Sequence, residues 1–226
     1  MAYRSLFPTL IFGGTYARSV TSAPTLGIAA VSTASLAPSP DILDYLDTTA
    51  TSAFSASSSG NCTVAVSADH ASLIFPNAKL VYSPAGSIDC KPQLVFRDLP
   101  AGYRFAIDSV TVGGYLNLEK GSYVERIQVQ LYYPDSSVGS AMSKNPYGKY
   151  GVGYDGIFSL PMSVSAPAAS RCSSVGSAEA MALELFVSLS HEEIEFDDLG
   201  PHFGTVGGDA PDQKLRVGLH AQWTAC

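Results

Sequence analysis

The clearest pattern in the chain is an alternation of apolar and polar residues with a period of two. In SYVERIQVQLYYP, the apolar residues Ile127, Val129 and Leu131 alternate with arginine and glutamine. The same period runs through residues 181–189 and 215–223. Such alternation places the apolar side chains on one face of a β-strand. We therefore predict half-buried strands in all three segments.

The segment AEAMALELFVSLS, which contains residues 181–189, is ambiguous by composition. Alanine, glutamate, methionine and leucine are good helix formers. However, its apolar residues stand at every second place: Met181, Leu183, Leu185, Val187 and Leu189. The period of two favours a strand over a helix.

The segment YRFAIDSVTVGGYLNL changes parity in its middle. Its apolar residues fall on odd positions up to Ile107 and on even positions from Val110. One extra residue in a strand produces such a switch, because successive side chains point to opposite faces. We predict a β-bulge near Asp108 and Ser109.

About nine short strands with intervening turns, and no convincing long helix, predict an all-β fold. The expected architecture is an antiparallel β-sandwich of Greek-key or jelly-roll type, spanning residues 41–226. Within it, DILDYLD at 41–47 could add an edge strand. Residues 135–156 are interpreted as a tyrosine- and glycine-rich loop, and residues 191–212 as an acidic loop.

The N-terminus has the features of a secretory signal peptide over residues 1–17. Arg4 precedes a short apolar core, and small residues allow cleavage after Ala17. Pro8 interrupts the core, so an apolar N-terminal strand is the alternative. Residues 18–40 are rich in Ser, Ala and Pro and predict a spacer.

Composition and charge narrow the classes of partner. Charged residues make up only 15% of the chain and the formal net charge is −7. With 13 Lys plus Arg and no basic run, neither nucleic-acid binding nor charge-driven docking on anionic lipid is expected. No run of apolar residues is long enough for a membrane-spanning helix, so no membrane span is expected.

The four cysteines are the strongest covalent signal: Cys62, Cys90, Cys172 and Cys226. None forms a C-x-x-C pair, so a zinc or thioredoxin-like site is unsupported. An even count behind a signal peptide favours two disulfides, whereas a cytosolic protein would keep free thiols. Three connectivities are possible. We favour Cys62–Cys90 and Cys172–Cys226, because each closes a local loop between strands.

Asn61 begins the sequence Asn-Cys-Thr, which is an N-glycosylation sequon. In a secreted chain Asn61 is a candidate glycan site. The alternative is an unmodified asparagine in a turn, which the neighbouring cysteine favours.

Four stretches of the chain together resemble a known family. They are GNC at 60–62, DCKPQL at 89–94, GYRFAIDSVTVGGY at 102–115 and the terminal HAQWTAC at 220–226. This pattern, ending in H-x-Q-W-x-x-C, resembles small secreted proteins, mostly fungal, that share a domain of unknown function. The resemblance covers residues from about 40 to 226 and implies secretion and four structural cysteines, but no activity.

Two features of the chain depart from that family. Thr63-Val64-Ala65 stands where the family often has Pro-x-Gly-Ser, and the acidic loop from Glu192 to Asp198 is longer than usual. These departures concern loops rather than the scaffold.

The densest group of possible metal ligands lies in the acidic loop. It consists of His191, Glu192, Glu193, Glu195, Asp197, Asp198 and His202. Carboxylates suit calcium and imidazoles suit transition metals. The spacing is not that of an EF-hand, and a solvated acidic loop explains it as well. We therefore assign no metal site and no cofactor.

Candidate catalytic groups are sparse. Glu184 on a predicted strand face and Asp108 at the predicted bulge are carboxylates of the kind that hydrolyse glycosides, but neither has an identifiable partner. No nucleophile elbow, zinc-protease motif or phosphate-binding loop is present. His220 and Gln222 share one strand face, as a binding pair or as ordinary hydrogen-bonded surface residues. We assign no catalytic residue.

The tyrosine-rich loop carries Tyr147, Tyr150 and Tyr154 among glycines, with Lys144 and Lys149 nearby. Exposed aromatic rings suit sugar or protein surfaces. In the alternative interpretation, the tyrosines fold back as a lid over the sandwich.

These observations favour a secreted, disulfide-bonded protein without catalysis. We expect a binding or surface-associated, effector-like protein outside the cell, whose partner is cell-wall polysaccharide or a host protein. An extracellular hydrolase acting on polysaccharide and a calcium-stabilised structural protein are the alternatives.

Overall fold

The computed structural model describes residues 38–55, 62–82, 86–135, 137–148, 153–191 and 203–226. The predicted signal peptide, nearly all of the predicted spacer and Asn61 lie outside these ranges. The chain divides into two units, Met1–Ala34 and Ser35–Cys226, and every described residue belongs to the second. Within the described ranges, no helix is both long and apolar enough to cross a membrane.

The described residues form twelve strands and two 3-10 helices, Ile42–Tyr45 and Pro211–Gln213. The strands are β1 (Ser52–Ser55), β2 (Ala65–Val66), β3 (Leu73–Phe75), β4 (Leu80–Tyr82), β5 (Gly86–Phe96), β6 (Tyr103–Leu118), β7 (Ser122–Tyr132), β8 (Val138–Lys144), β9 (Tyr154–Ser163), β10 (Glu179–His191), β11 (Gly204–Val206) and β12 (Leu215–Ala225).

The strands pair into two antiparallel sheets. The five-stranded sheet has the order β1-β5-β10-β7-β8, and the seven-stranded sheet has the order β2-β3-β12-β6-β11-β4, with β9 paired to β6. The two sheets form a sandwich, so the predicted fold class is confirmed.

The core lies between the sheets and is built from the alternating residues that the sequence singles out. Ile127, Val129 and Leu131 of β7 are fully buried. Leu183 and Leu185 of β10 are also fully buried, and β10 is a strand as its period predicts. The largest buried rings are Phe75, Phe96 and Phe105.

The predicted bulge is present in β6. Ser109 lies opposite His220 of β12, and Ile107 lies opposite Ala221. Asp108 is therefore the extra residue between two neighbouring pairs. This single insertion lets the residues on both sides of it point apolar side chains into the core.

Three segments differ from prediction. DILDYLD contains a 3-10 helix rather than an edge strand, because a helical turn can bury the adjacent residues Ile42 and Leu43 together. The predicted loop 135–156 contains β8, whose inward positions are the small residues Gly139 and Ala141. The predicted acidic loop contains β11, which is only three residues long.

Both disulfides are the pairs that the sequence analysis favours. Cys62, which precedes β2, is bonded to Cys90 of β5, so this bridge joins the two sheets. Cys172 is bonded to Cys226 and fixes the end of β12. Both partners of the first bridge are buried, whereas both partners of the second are exposed.

Candidate functional site

A groove of about 380 Å³ crosses the outer face of the seven-stranded sheet. It runs over β12 and β6 between the start of β3 and the middle of β9. Side chains on its surface include Ser72, Thr111, Ile157, Ser159, Arg216 and His220. The strands place these side chains outward because their neighbours in sequence point into the core.

Two glycines form the floor of the groove. A Cβ atom on Gly113 would lie 3.1 Å from the Phe158 carbonyl oxygen and 3.4 Å from Arg216 Cγ. A Cβ atom on Gly218 would lie 3.3 Å from the carbonyl oxygen of Ala71. Side chains at these two positions would fill the space between the strands' outward residues. Glycine therefore keeps the sheet surface open here.

Arg216 lies on this floor, directly opposite Gly113 in the β12–β6 register. Its Nη2 donates a hydrogen bond to the carbonyl oxygen of Asp212 at 2.7 Å. Among the described residues the guanidinium forms no ion pair. A guanidinium has five N–H donors, so most of them remain available at the groove surface.

His220 and Thr111 form the next row of the groove. The distance between His220 Nε2 and Thr111 Oγ1 is 3.1 Å, which is a hydrogen bond. Gln222, two residues further along β12, donates to Asp108 Oδ2 at 2.6 Å. His220 and Gln222 thus share one face as predicted, and both have hydrogen-bonding neighbours. His220 is the member of the pair that lines the groove.

The far wall of the groove comes from β9. Ile157 is 48% exposed despite being large and apolar, and Ser159 beside it is also exposed. Next to this wall, Tyr115 donates a hydrogen bond to Asp155 Oδ1 at 2.7 Å. Because the Asp155 carboxylate accepts this hydrogen bond, the pKa of Tyr115 is raised. The wall therefore combines an apolar side chain with hydroxyl groups.

The outer face of the five-stranded sheet carries a cluster of charged side chains that pair with one another. Lys91 Nζ lies 2.9 Å from Glu184 Oε1 and 3.6 Å from Asp89 Oδ2. Tyr132 donates to the other oxygen of Glu184 at 2.7 Å. Glu184 thus has partners that the sequence did not identify, because they come from β5 and β7.

The two carboxylates of this cluster have opposite pKa shifts. Burial and the charge of Glu184 raise the pKa of Asp89 against the influence of Lys91. One Asp89 oxygen is buried without a donor in the part of the chain that the structure describes. Burial also acts on Glu184, but hydrogen bonds from Tyr132 and Lys91 outweigh it and lower the pKa of Glu184.

Asp108, the other predicted candidate carboxylate, lies on the opposite sheet from Glu184. It accepts hydrogen bonds from Ser109 at 3.1 Å and from Gln222 at 2.6 Å. The structure therefore does not bring the two carboxylates proposed from sequence together. Asp108 acts here as the acceptor that holds the bulge and its neighbour on β12.

The two described tyrosines of the tyrosine-rich loop fold back onto the sandwich. The ring of Tyr147 lies 5.1 Å from that of Tyr154 and 5.5 Å from that of Phe158, measured between centroids. Tyr154 donates its hydroxyl proton to the carbonyl oxygen of Ile157 at 2.9 Å. This arrangement matches the lid interpretation. Lys149 and Tyr150 lie outside the described residues.

The metal-ligand hypothesis falls mostly on residues that the structure does not describe. His191 ends β10, and the other six residues of that group are in the undescribed range 192–202. Over the described ranges, no three His, Cys, Asp or Glu residues are placed to hold a metal ion together.

Sequence reasoning missed Arg216, Thr111 and the groove itself. The available signal was the pair of glycines at 113 and 218, each inside a strand pattern where glycine is unfavourable. Glycine in a strand interior indicates a close backbone approach or an open surface. Which outward residues surround it depends on strand order, which the alternation does not encode.

Comparison with solved structures finds β-sandwich proteins at very low identity. A carbohydrate-binding module, TmCBM61, solved with beta-1,4-galactotriose, is 9% identical; the match covers 83% of this chain and 95% of that chain with a TM-score of 0.25. A second match, from a study of carbohydrate-binding modules of the β-sandwich superfamily, is also 9% identical, covers 64% and 56%, and has a TM-score of 0.25. These TM-scores carry no functional argument.

A family model described as a domain of unknown function (DUF4360) matches residues 55–226. The match includes all four cysteines, the groove and every strand except most of β1, and it agrees with the resemblance noted in the sequence. No curated protein sequence matches the chain. The family match covers well over half of the chain, and the chain therefore belongs to the DUF4360 family.

Proposed function

We propose that this protein is a secreted, non-catalytic binding protein that holds extracellular polysaccharide in the groove of the seven-stranded sheet. The observation that carries the proposal is the groove's combination of an open glycine floor, polar side chains with hydrogen-bonding capacity at the surface, and an exposed apolar wall. The signal-peptide pattern at residues 1–17 and the two disulfides support an extracellular location.

A saccharide suits this combination because its ring has hydroxyl groups at the edge and C–H groups on its faces. The hydroxyls of Thr111 and Ser159 and the imidazole of His220 are groove donors and acceptors. Ile157 and the glycine floor offer apolar surface for a C–H face. A volume of about 380 Å³ lies in the usual range for small-ligand sites, roughly 300–1,000 Å³.

The absence of catalysis is supported by the groove's charges. Glycoside hydrolysis commonly uses two carboxyl groups on either side of the scissile bond. None of the described residues that line the groove is an aspartate or glutamate. The carboxylates of Asp89 and Glu184 belong to the other sheet, where Lys91 contacts both.

The test is binding of the folded, secreted protein to a panel of soluble cell-wall polysaccharides, measured by affinity electrophoresis and calorimetry. Ser159→Trp should fill the groove with an indole ring and weaken binding by about tenfold or more, which corresponds to about 1.4 kcal/mol. Ser163→Trp is the matched control, because Ser163 is an exposed serine on the same strand and face and does not line the groove.

Retained binding in Ser163→Trp and lost binding in Ser159→Trp would support the proposal. The proposal is wrong if no polysaccharide binds, or if the two variants bind equally well. Asn61 is kept as a proposed glycan site, and intact mass before and after enzymatic deglycosylation of the secreted protein tests it.

A further inference from the structure

We infer that the groove ligand is an acidic saccharide, whose carboxylate is bound by the guanidinium of Arg216. This inference rests on the proposed function and specifies its ligand class. Arg216 is the one Lys or Arg among the described residues that line the groove, and no lining carboxylate opposes it. The positive charge therefore faces the space that a ligand would fill.

The guanidinium is held in place before any ligand arrives. Its aliphatic stem lies across Gly113, with Cγ 3.4 Å and Nε 3.6 Å from the position that a Cβ there would take. The Asp212 carbonyl oxygen fixes Nη2 from the other side. A guanidinium fixed in this way loses little conformational freedom when it binds, and its planar fork matches a carboxylate with two parallel hydrogen bonds.

Asp69 is an acidic residue on which the charge of Arg216 acts, and it has hydrogen-bond partners of its own. Asp69 Oδ1 accepts a hydrogen bond from the Ala71 N–H at 3.2 Å. Its pKa is lowered mainly by a hydrogen bond from Ser67, and the charge of Arg216 makes a smaller contribution. Asp69 thus forms no ion pair with Arg216, and the guanidinium keeps its donors for a ligand.

The rest of the groove distinguishes a sugar acid from a simple anion. A free anion would need only the guanidinium, whereas Ile157 and Ser159 on β9 extend the site away from it. The net charge of −7 also disfavours non-specific adsorption of a polyanion. Preferential binding of an acidic saccharide would therefore report on the local contact with Arg216.

The experiment compares matched ligands by isothermal calorimetry. Oligosaccharides of galacturonate, glucuronate and mannuronate are each tested beside their methyl esters, which keep the ring but remove the charge. At least one acid should bind about tenfold or more tightly than its ester, as expected for a charge-assisted bidentate contact. Sodium acetate is included as a carboxylate without a sugar ring, and it should bind far more weakly.

Two variants locate the effect. Arg216→Gln should remove the preference for the acid, so that the acid and its ester bind this variant with about the same affinity. Arg104→Gln should leave the preference intact, because Arg104 is an exposed arginine on the same sheet that does not line the groove. Thermal unfolding of both variants checks that the fold is retained.

The possible failures are distinguishable. If every acid binds no better than its ester, or if Arg216→Gln keeps the preference, the inference is wrong while the proposed function stands. Acetate binding as tightly as the acidic saccharide also overturns it. If neither the acidic nor the neutral saccharides bind at all, the proposed function fails as well.

Discussion

On the outer face of the five-stranded sheet, Lys91 lies between two carboxylates. On the outer face of the seven-stranded sheet, Arg216 donates to a backbone carbonyl and, within the described part of the chain, has no carboxylate partner. On the first face, Arg126 lies 4.4 Å from the centre of the Phe186 ring and covers it. On the second, the floor below Arg216 is glycine. At Lys91 and Phe186 the first face is covered by neighbouring side chains, whereas the second face is open at the groove.

The two faces therefore contribute differently to folding and to binding. Polar groups that saturate one another stabilise the fold and leave few donors for a ligand. Polar groups that are held in place but keep free hydrogen-bond donors contribute less to folding and more to binding. We therefore expect substitutions on the five-stranded sheet to change stability, and substitutions in the groove to change affinity.

Removal of the disulfide between the sheets should give the largest loss in the free energy of unfolding. Cys62→Ala with Cys90→Ala removes a bridge that closes a 28-residue separation in the core. Chain entropy alone gives a cost of about 3–4 kcal/mol for each disulfide, slightly more for the longer loop. Urea unfolding measures the loss in the free energy of unfolding, and calorimetry under native conditions measures saccharide binding in the groove.

Cys172→Ala with Cys226→Ala is the control, because that bridge spans 54 residues but both cysteines are exposed. We expect the buried bridge to cost more, since Cys62 and Cys90 are only 4% and 0% exposed and their loss also removes core contacts. The opposite order would show that loop length dominates and that the inter-sheet bridge is not a special support.

Removal of Lys91 should give the next largest effect. Lys91→Met leaves Glu184 and Asp89, which are 17% and 18% exposed at their side chains, without their shared cation. The expected cost is about 1–3 kcal/mol, between the values for exposed and buried ion pairs. Urea unfolding measures the stability, and calorimetry should show that saccharide binding is unchanged.

Lys79→Met is the matched control for Lys91→Met. Lys79 Nζ lies 2.7 Å from Asp209 Oδ2, but the Asp209 side chain is 84% exposed. Water replaces the lost contact there, so little change in stability is expected. Equal effects of the two variants would contradict the view that the five-stranded face is closed, and loss of binding in Lys91→Met would contradict the separation of roles.

Much of the fold could be predicted because its strands encode their own inward faces. The parity switch predicted a bulge near Asp108 and Ser109, where the structure has one, and the period of two overruled helix propensity in β10. Strand β8 was missed because its inward positions are Gly139 and Ala141, which carry almost no hydrophobic signal. The turn at Ile42–Tyr45 was missed because seven residues are too few to separate a strand from a 3-10 helix.

The candidate site was less predictable because it depends on strand order. Thr111, Ser159 and Arg216 come from three different strands, and nothing in their local sequences shows that β6 lies between β12 and β9. The same reason hid the partners of Glu184, since Lys91 and Tyr132 lie on the two strands that flank β10. Alternation predicts which face of its own strand a residue lies on, whereas a site also depends on which strands are adjacent.

The smallest effect should be the pH dependence of the Lys91 cluster. Because the pKa of folded Glu184 lies below its ordinary value, its ionised form stabilises the protein above the unfolded pKa of about 4.3. That stabilisation is lost as the pH falls through the folded pKa. Glu184→Gln should therefore be less stable than the native protein at pH 7, by about 1 kcal/mol or less for a partly exposed contact, and the difference should shrink below pH 4.

Asp89→Asn provides the control of opposite sign. The pKa of folded Asp89 is raised by burial, so its ionisation becomes unfavourable for folding as the pH rises through that value. Relative to the native protein, Asp89→Asn should therefore gain stability between acid and neutral pH, while Glu184→Gln loses it. Urea unfolding at several pH values between 3 and 7 measures both. Parallel profiles for the two variants would mean that the carboxylates titrate as ordinary surface groups, and the closed face would then owe its stability to packing rather than to charge.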